Sequence, residues 1–406
     1  MDAVEPDGYT FEMGPIRPPS EGQDRSLLIR TTRNCPWNRC EFCPTYKGKK
    51  FAYRRVEEIK RDIDAVKGIV EMVRATSWSL GYGGRLGRDM AGLVVQGAPG
   101  VYARGLAPSE DLALRLQCLV AVVDWISSGG RTVFLQDADS LIMRTAELVE
   151  VIRYLKETFP TVERVTSYAR ARTASRKSLE ELTELYEAGL SRLHIGLESG
   201  SDEVLEDVQK GVTAEQHVSA GRKVVRSGIS LSEYVMPGLG GRKLSAKHAL
   251  ETAAVLNEIN PDFIRLRSLI VRGDSPLHGK LLAGTFEELT EDGVVDEIGL
   301  LVENLNCTSY IISDQMSNLL MEVEGRLPDE KEAILRTINT WKAMPVLDRL
   351  AHRLERRARS YLAVRGAMDE GLAEKVDRAR RSIESSSADA PSVVESAIGA
   401  LKQGFM

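Results

Sequence analysis

The chain has 406 residues and a mass of 44.8 kDa, a length that suits about two to three average domains or one α/β barrel with extensions. Hydrophobic residues make up 43% and charged residues 28%, which is ordinary for a soluble globular chain and excludes wholesale disorder and any fibrous class. Lys plus Arg number 54 against 59 for Asp plus Glu, and this net charge of −5 argues against a chain dominated by non-specific nucleic-acid binding.

Residues 1–25 are rich in Pro, Gly and charge and read as an extended strap. The apolar run Ser26–Arg30 predicts a buried strand, and the mixed 3 and 4 spacing of Val56, Ile59, Ile63, Val66, Ile69 and Val70 predicts a helix over Arg54–Arg74. A Gly-rich stretch follows between Trp78 and Pro108. It lacks the Lys-Ser/Thr pair of a nucleotide P-loop and is expected to be a structureless lid or insertion of about 76–111.

From there the pattern turns regular. Helices are expected over Leu112–Ser127, Thr145–Thr158, Ser178–Ala188, Ala214–Ser227 and Ala246–Ile259. Each precedes an apolar run: Thr132–Leu135, Val162–Ser167, Arg192–Leu197, Ile229–Met236 and Phe263–Val271. Gly189 and Gly228 stand where helices stop, and Pro261 blocks further helix. Strand and helix alternate through 26–271, which predicts a parallel sheet with helical crossovers, either an open barrel or a doubly wound sheet. Residues 272–341 form a mixed extension with another apolar segment at Ser309–Ile312, and 342–406 read as helical. In that tail the arginines 353, 356, 357 and 359 are expected to form a solvated helix face.

No apolar run reaches the about 18 residues of a membrane span. The opening residues Met1–Thr10 carry Asp2, Glu5 and Asp7 with no basic flank, unlike a secretory signal. Three of the five cysteines fall in Cys35-Pro-Trp-Asn-Arg-Cys40-Glu-Phe-Cys43, directly after the first strand. Clustered cysteines point to metal binding or chemistry rather than disulfide scaffolding, and so to a cytoplasmic location. No fourth Cys or His lies at zinc-finger spacing, which suggests an Fe–S cubane with one iron lacking a protein ligand. A zinc loop completed by a distant residue is the alternative.

A three-cysteine loop after the first strand of a βα series resembles the radical S-adenosylmethionine (radical SAM) superfamily. The spacing here is C-x4-C-x2-C, one residue longer than the usual C-x3-C-x2-C. The segment Leu197-Glu198-Ser199-Gly200-Ser201-Asp202-Glu203-Val204-Leu205, followed by Lys210-Gly211-Val212-Thr213, is similar to the one after the fourth strand in methylthiotransferase-related members. The resemblance implies an α/β fold, a partial (β/α)6 TIM-like barrel of parallel strands over 26–271 with an α-rich C-terminal extension. It implies a [4Fe–4S] cluster on Cys35, Cys40 and Cys43, with S-adenosylmethionine on the fourth iron. Glu198 would bond the ribose hydroxyls. Asp137 and Asp139 stand where relatives receive the amino group, Ser167 and Arg170 where they bind the carboxylate, and Met236 where methionine and adenine lie.

That chemistry is one-electron cleavage to a 5′-deoxyadenosyl radical, which takes hydrogen from a small-molecule or macromolecular substrate. It calls for a one-electron donor of flavodoxin or ferredoxin type. No catalytic residue is assigned. Trp37 and Phe42 are expected to shield the cluster, Asp139 and Asp202 have helix capping as an ordinary alternative role, and His194 and Cys118 read as core residues. Neither a second cysteine group, a cobalamin module before the first strand, nor a C-terminal RNA-binding β-module is recognisable. Two rivals remain: an RNA-modifying enzyme that grips RNA through the Arg-rich C-terminal helices, and a non-catalytic Fe–S or zinc scaffold.

Overall fold

Short aliphatic runs make the strands, and longer runs with apolar residues on one face make the helices. The computed structural model describes residues 9–19, 25–97, 99–102 and 110–404. Parts of the expected strap (1–8 and 20–24), parts of the insertion (98 and 103–109) and the end of the last expected helix (405–406) lie outside the described residues. The chain divides into two compact units. One comprises Met1–Pro36, Gly48–Ile195 and Lys223–Leu231, the other Trp37–Lys47, Gly196–Arg222 and Ser232–Met406.

In the first unit β1 (Leu27–Arg30) is followed by a short antiparallel pair, β2 (Thr32–Arg33) and β3 (Ala52–Tyr53). Helix α1 (Val56–Ser79) buries Val56, Ile59, Ile63, Val66, Ile69, Val70 and Val73 along one stripe, as its spacing predicts. The Gly-rich stretch is not structureless. It holds α2 (Met90–Gly97) and the short α3 (Pro99–Tyr102), and α2 packs on α1 with Met90 and Val94 buried. Ser77 Oγ donates to the Arg85 carbonyl at 2.7 Å and tucks in the turn between α1 and α2. Met90 and Val94 are one helical turn apart, a periodicity that the surrounding glycines obscure.

Next come α4 (Glu110–Ser127), β4 (Thr132–Gln136), α5 (Thr145–Thr158), β5 (Arg164–Ala169), the single turn α6 (Ala171–Ala174), α7 (Leu179–Ala188) and β6 (Leu190–Glu198). All five residues of β4 are buried, as expected of a parallel strand covered on both faces. Helix α7 opens on a capping box, in which Ser178 and Glu181 satisfy each other's backbone, and closes on Gly189 at φ 118°. The strap residues 9–19 are anchored here. Glu12 is ion-paired with Arg30 at 2.8 Å, Arg33 at 2.6 Å and Arg54 at 3.4 Å. Gly14 N–H donates to Gln136 Oε1 at 2.8 Å.

Strands β6 and β7 (Ser230–Val235) and helix α9 (Ala214–Arg226) each pass from one unit to the other. The second unit further contains α8 (Asp202–Asp207), α10 (Gly241–Ile259), β8 (Phe263–Leu266), α11 (Pro276–Leu282), α12 (Glu291–Asn304), β9 (Tyr310–Ile312), β10 (Gly325–Arg326), α13 (Lys331–Ala343), α14 (Val346–Arg365), α15 (Glu370–Glu384) and α16 (Ala390–Lys402). The strand order is β1-β4-β5-β6-β7-β8-β9-β10. Strands β1, β4, β5 and β6 pair in parallel, as do β7, β8 and β9, while β10 is antiparallel to β9. The architecture is therefore α/β, with a mostly parallel sheet and an α-rich C-terminal region. The extension after residue 271 adds β9 and β10 to this sheet.

One expectation about the tail is corrected. Arg353 and Arg357 do not lie on a solvated face: they are 4% and 2% exposed. Each contacts Glu291 at 2.7 Å, and Arg357 also donates to the carbonyls of Met316 and Ser317. Arg356 pairs with Glu322. Helices α14, α15 and α16 close over their own core of Leu350, Leu354, Val376, Val394, Ile398 and Leu401.

Candidate functional site

The cysteine loop leaves β2 and returns through β3. Cys35 follows Asn34, which takes a left-handed conformation at φ 67°, bonds the Lys50 carbonyl through its side chain at 2.5 Å, and donates its N–H to Asp137 Oδ2 at 3.0 Å. The part of the loop in the second unit is pinned at several points. Glu41 N–H donates to the Val208 carbonyl at 2.9 Å, and the Glu41 carboxylate accepts from Gln209 Nε2 and pairs with Lys280, both at 2.7 Å. Trp37 Nε1–H donates to the Gln209 carbonyl at 2.7 Å. The Trp37 ring lies so close to Gly211 that a Cβ there would stand 2.2 Å from it, so this turn requires glycine. Phe42 packs on the core formed by Val204, Val208, Leu239, Leu277 and Phe286. Trp37 and Phe42 thus hold the loop in place.

The candidates after β4 and β5 all lie within the first unit, where Asp139 meets Arg170 while Asp137 and Ser167 bond other partners. Asp137 is fully buried and accepts from Arg30 Nε at 2.7 Å and from the Asn34 N–H. Asp139 does not cap the helical turn that follows it; it reaches the start of α6, where it accepts from Thr173 Oγ1 at 2.5 Å and from the Arg170 N–H at 3.3 Å. Burial pushes its carboxyl up to about 6 despite those bonds and the charges of Arg170 and Lys177. Ser167 spends its hydroxyl on Ser140 Oγ at 2.7 Å and the Leu135 carbonyl at 3.0 Å. Arg170 is the residue before α6, half-buried. Tyr168 stacks edge-on with Phe134 and meets His194, a core residue as expected.

Glu198 and Met236 come together in the second unit, where the Met236 N–H donates to the Glu198 carbonyl at 3.0 Å. Glu198 ends β6 at φ 61°, and its carboxylate folds back over Gly196, where a Cβ would lie 2.3 Å from Oε1. Lys210 Nζ pairs with Glu198 Oε1 at 2.9 Å and stands 5.6 Å from the centre of the Phe42 ring, inside the cysteine loop. Asp202 accepts from the Ala214 N–H at 2.7 Å and so caps α9.

Lys210 stands in the sequence only as part of the motif after Glu198; its spacing from Glu198 and the turn at Gly211 are the signal for it. Glu233, absent from the sequence candidates, is a fully buried carboxyl on β7 with neither oxygen hydrogen-bonded among the described residues. Burial raises that carboxyl well above the usual range, with Glu198 adding to the effect and Lys210 opposing it. An acid inside an apolar strand pattern was its signal.

Residues 111–253, from α4 into α10, match the family model of the Radical SAM superfamily. It is similar to the tRNA uridine(34) acetyltransferase of Methanocaldococcus infernus, with 22% identity over 282 residues that cover 67% of this chain and 47% of the relative. The tRNA uridine(34) acetyltransferase of Methanocaldococcus jannaschii is 22% identical over 120 residues, covering 29% of this chain and 22% of that one. The chain thus spans about half or less of the length of these relatives. Among solved structures it is similar to methylornithine synthase, with 13% identity, a TM-score of 0.41, and 78% of this chain and 71% of that chain covered.

The superfamily implies a [4Fe–4S] cluster and S-adenosylmethionine. The donor chemistry fits: Cys35, Cys40 and Cys43 are half-buried, and none of the five cysteines is in a disulfide. Among the described residues, no group of three or more His, Cys, Asp or Glu is placed to hold a metal ion. No helix of the described residues is long and apolar enough to cross a membrane.

Proposed function

We propose that Cys35, Cys40 and Cys43 hold a [4Fe–4S] cluster and that the chain cleaves S-adenosylmethionine reductively to start hydrogen abstraction from a substrate. The bound cluster and S-adenosylmethionine would supply the homolytic step and the 5′-deoxyadenosyl radical, with a flavodoxin- or ferredoxin-type donor supplying the electron. The observation that carries this reading is the docking of the cysteine loop on the turn 207–211, whose Lys210 pairs with Glu198. A pinned loop keeps Cys40 and Cys43 at fixed positions.

In this reading Glu198 accepts from the ribose hydroxyls, and Met236 lines the methionine and adenine. Asp137 and Asp139 serve the amino group, with Asp139 ionised above about pH 6. Arg170 grips the carboxylate as a charge-assisted donor, and Ser167 supports this group through Ser140. The test is anaerobic reconstitution with iron and sulfide, reduction with dithionite, and chromatography for 5′-deoxyadenosine. Product from the wild type but not from Cys40→Ala is expected. A reconstituted wild type that never cleaves S-adenosylmethionine would sink the proposal in favour of a metal-binding scaffold.

RNA modification is a second reading, supported by the names of the relatives that match 67% and 29% of this chain. Arg353 and Arg357 are spent on Glu291, so an RNA grip would have to use other cations. Transfer RNA should then bind with a steep salt dependence that survives replacement of Arg356. Binding that is absent at low salt would end this reading.

A further inference from the structure

Behind the turns that carry Glu198 and Met236, the second unit holds a buried polar network outside the expected contacts. On one side, Glu297 of α12 accepts from the Gly238 N–H through Oε1 and from Ser245 Oγ through Oε2, both at 2.6 Å. On the other, His248 of α10 lies 2.8 Å from Ser199 Oγ through Nδ1 and hydrogen-bonds the Met236 main chain. Thr252 Oγ1 accepts from the Gly200 N–H at 2.8 Å. His248 Nε2 and Glu297 Oε1 are 3.6 Å apart, and Val235, Pro237, Ala249, Ile298 and Leu301 wall the pair off.

The fit at Gly200 is close enough that a Cβ there would stand 2.4 Å from the Glu251 carbonyl, so the turn after β6 rests directly on α10. Two helices therefore grip two successive turns by their backbones. Such contacts fix a turn's position, because a displaced turn would leave buried polar groups unpaired. Burial pushes the Glu297 carboxyl up to about 7 and the His248 imidazole down to about 4. Near neutral pH the two therefore act as hydrogen-bonding groups rather than as an ion pair.

We propose that His248 and Glu297 are positioning residues of the S-adenosylmethionine site: they lock the Glu198–Gly200 turn and the Met236–Gly238 turn in register, and so set the spacing of the groups that meet the ribose and the methionine. This rests on the proposed function above. The brace comes in part from α12, which lies beyond the stretch matched by the superfamily, so it is a feature of this chain's extension.

The test measures S-adenosylmethionine binding calorimetrically on protein reconstituted anaerobically with iron and sulfide, at a temperature where each variant is folded, together with hydrogen exchange at the Gly238 amide. Glu297→Ala should bind about tenfold or more weakly and exchange the Gly238 amide faster, since it removes two buried hydrogen bonds. Glu297→Gln, whose amide oxygen still accepts from Gly238 and whose NH2 can donate to Ser245, should restore binding to within about threefold of wild type. If Glu297→Ala does not fold, Glu297→Asp, one methylene shorter, provides the same comparison. A folded variant without the Gly238 contact that binds like wild type overturns the brace alone. A wild type that does not bind S-adenosylmethionine overturns the brace together with the functional reading.

Discussion

Lys210 Nζ stands 2.9 Å from Glu198 Oε1, and both side chains are only 13% exposed. The pair joins the last residue of β6 to the turn on which the cysteine loop rests. Its cation also opposes the raised carboxyl of Glu233, so one charge serves two acids.

Removing that charge while keeping the stem is the direct test. Lys210→Met should cost about 1–3 kcal/mol, between the value of an exposed pair and that of a fully buried one. It should lower the urea midpoint with an unchanged slope, and Lys210→Arg should recover most of the loss. A Lys210→Met midpoint equal to that of wild type would mean that the pair contributes nothing to stability.

Glu291 is the corresponding centre of the C-terminal helices. Burial alone would raise its carboxyl, but Lys402, Arg357 and Arg353 outweigh that and hold it at about 2. The unfolded value is 4.5, so the folded state binds fewer protons between about pH 2 and 4.5. Its contribution, on the order of 3 kcal/mol, is full above 4.5 and lost as the pH falls through 2. Glu291→Gln should lose about 3–5 kcal/mol at pH 7, because Arg353 and Arg357 remain buried without their anion. Circular dichroism in an acid titration reads both effects. A variant as stable as wild type at pH 7 would remove Glu291 from that role.

Much of the βα series was legible in the sequence because its signals are local. Thr145–Thr158 forms the helix its spacing predicts, and Gly189 closes α7 from a left-handed conformation open to glycine at little cost. Features that depend on distant partners were not legible. Arg353 and Arg357 sit on a helix whose pattern reads as solvated, and only Glu291, far back in the chain, explains their burial. Asp137 and Asp139 stand out in the sequence as carboxylates at a strand end, yet their contacts with Arg30, Asn34 and Thr173 required the folded strand edges. Glu297 and His248 carry no motif at all.

Asp139 should leave a mark on the pH dependence of stability opposite in sign to that of Glu291. Its carboxyl is raised from 3.8 to about 6, so between these values the folded state keeps a proton that the unfolded state has lost. Stability from this group falls as the pH rises through that window, by up to about 3 kcal/mol, and is level above it. Asp139→Asn keeps an acceptor for the Arg170 N–H and offers a donor to Thr173, but does not titrate. The stability of wild type relative to Asp139→Asn should therefore decrease between about pH 4 and 6 in urea melts. A constant difference across that range would show that the carboxyl titrates normally.

The cysteines should separate by reactivity in the native protein. Cys35, Cys40 and Cys43 are half-buried on their loop, whereas Cys118 and Cys307 are 0% and 3% exposed. Cys118 accepts from the Phe11 N–H at 3.4 Å, and burial pushes its thiol up to about 11. At pH 8 only about one Cys118 in a thousand is thiolate, the form that attacks an alkylating agent. Brief treatment of metal-free protein with iodoacetamide should modify the three loop cysteines and leave the other two, with all five modified in urea. Mass spectrometry of the digested protein assigns each site. Modification of Cys118 as fast as Cys40 would show that α4 and the strap residue Phe11 do not enclose the thiol in solution, and would weaken the case that only the loop thiols are available to a metal.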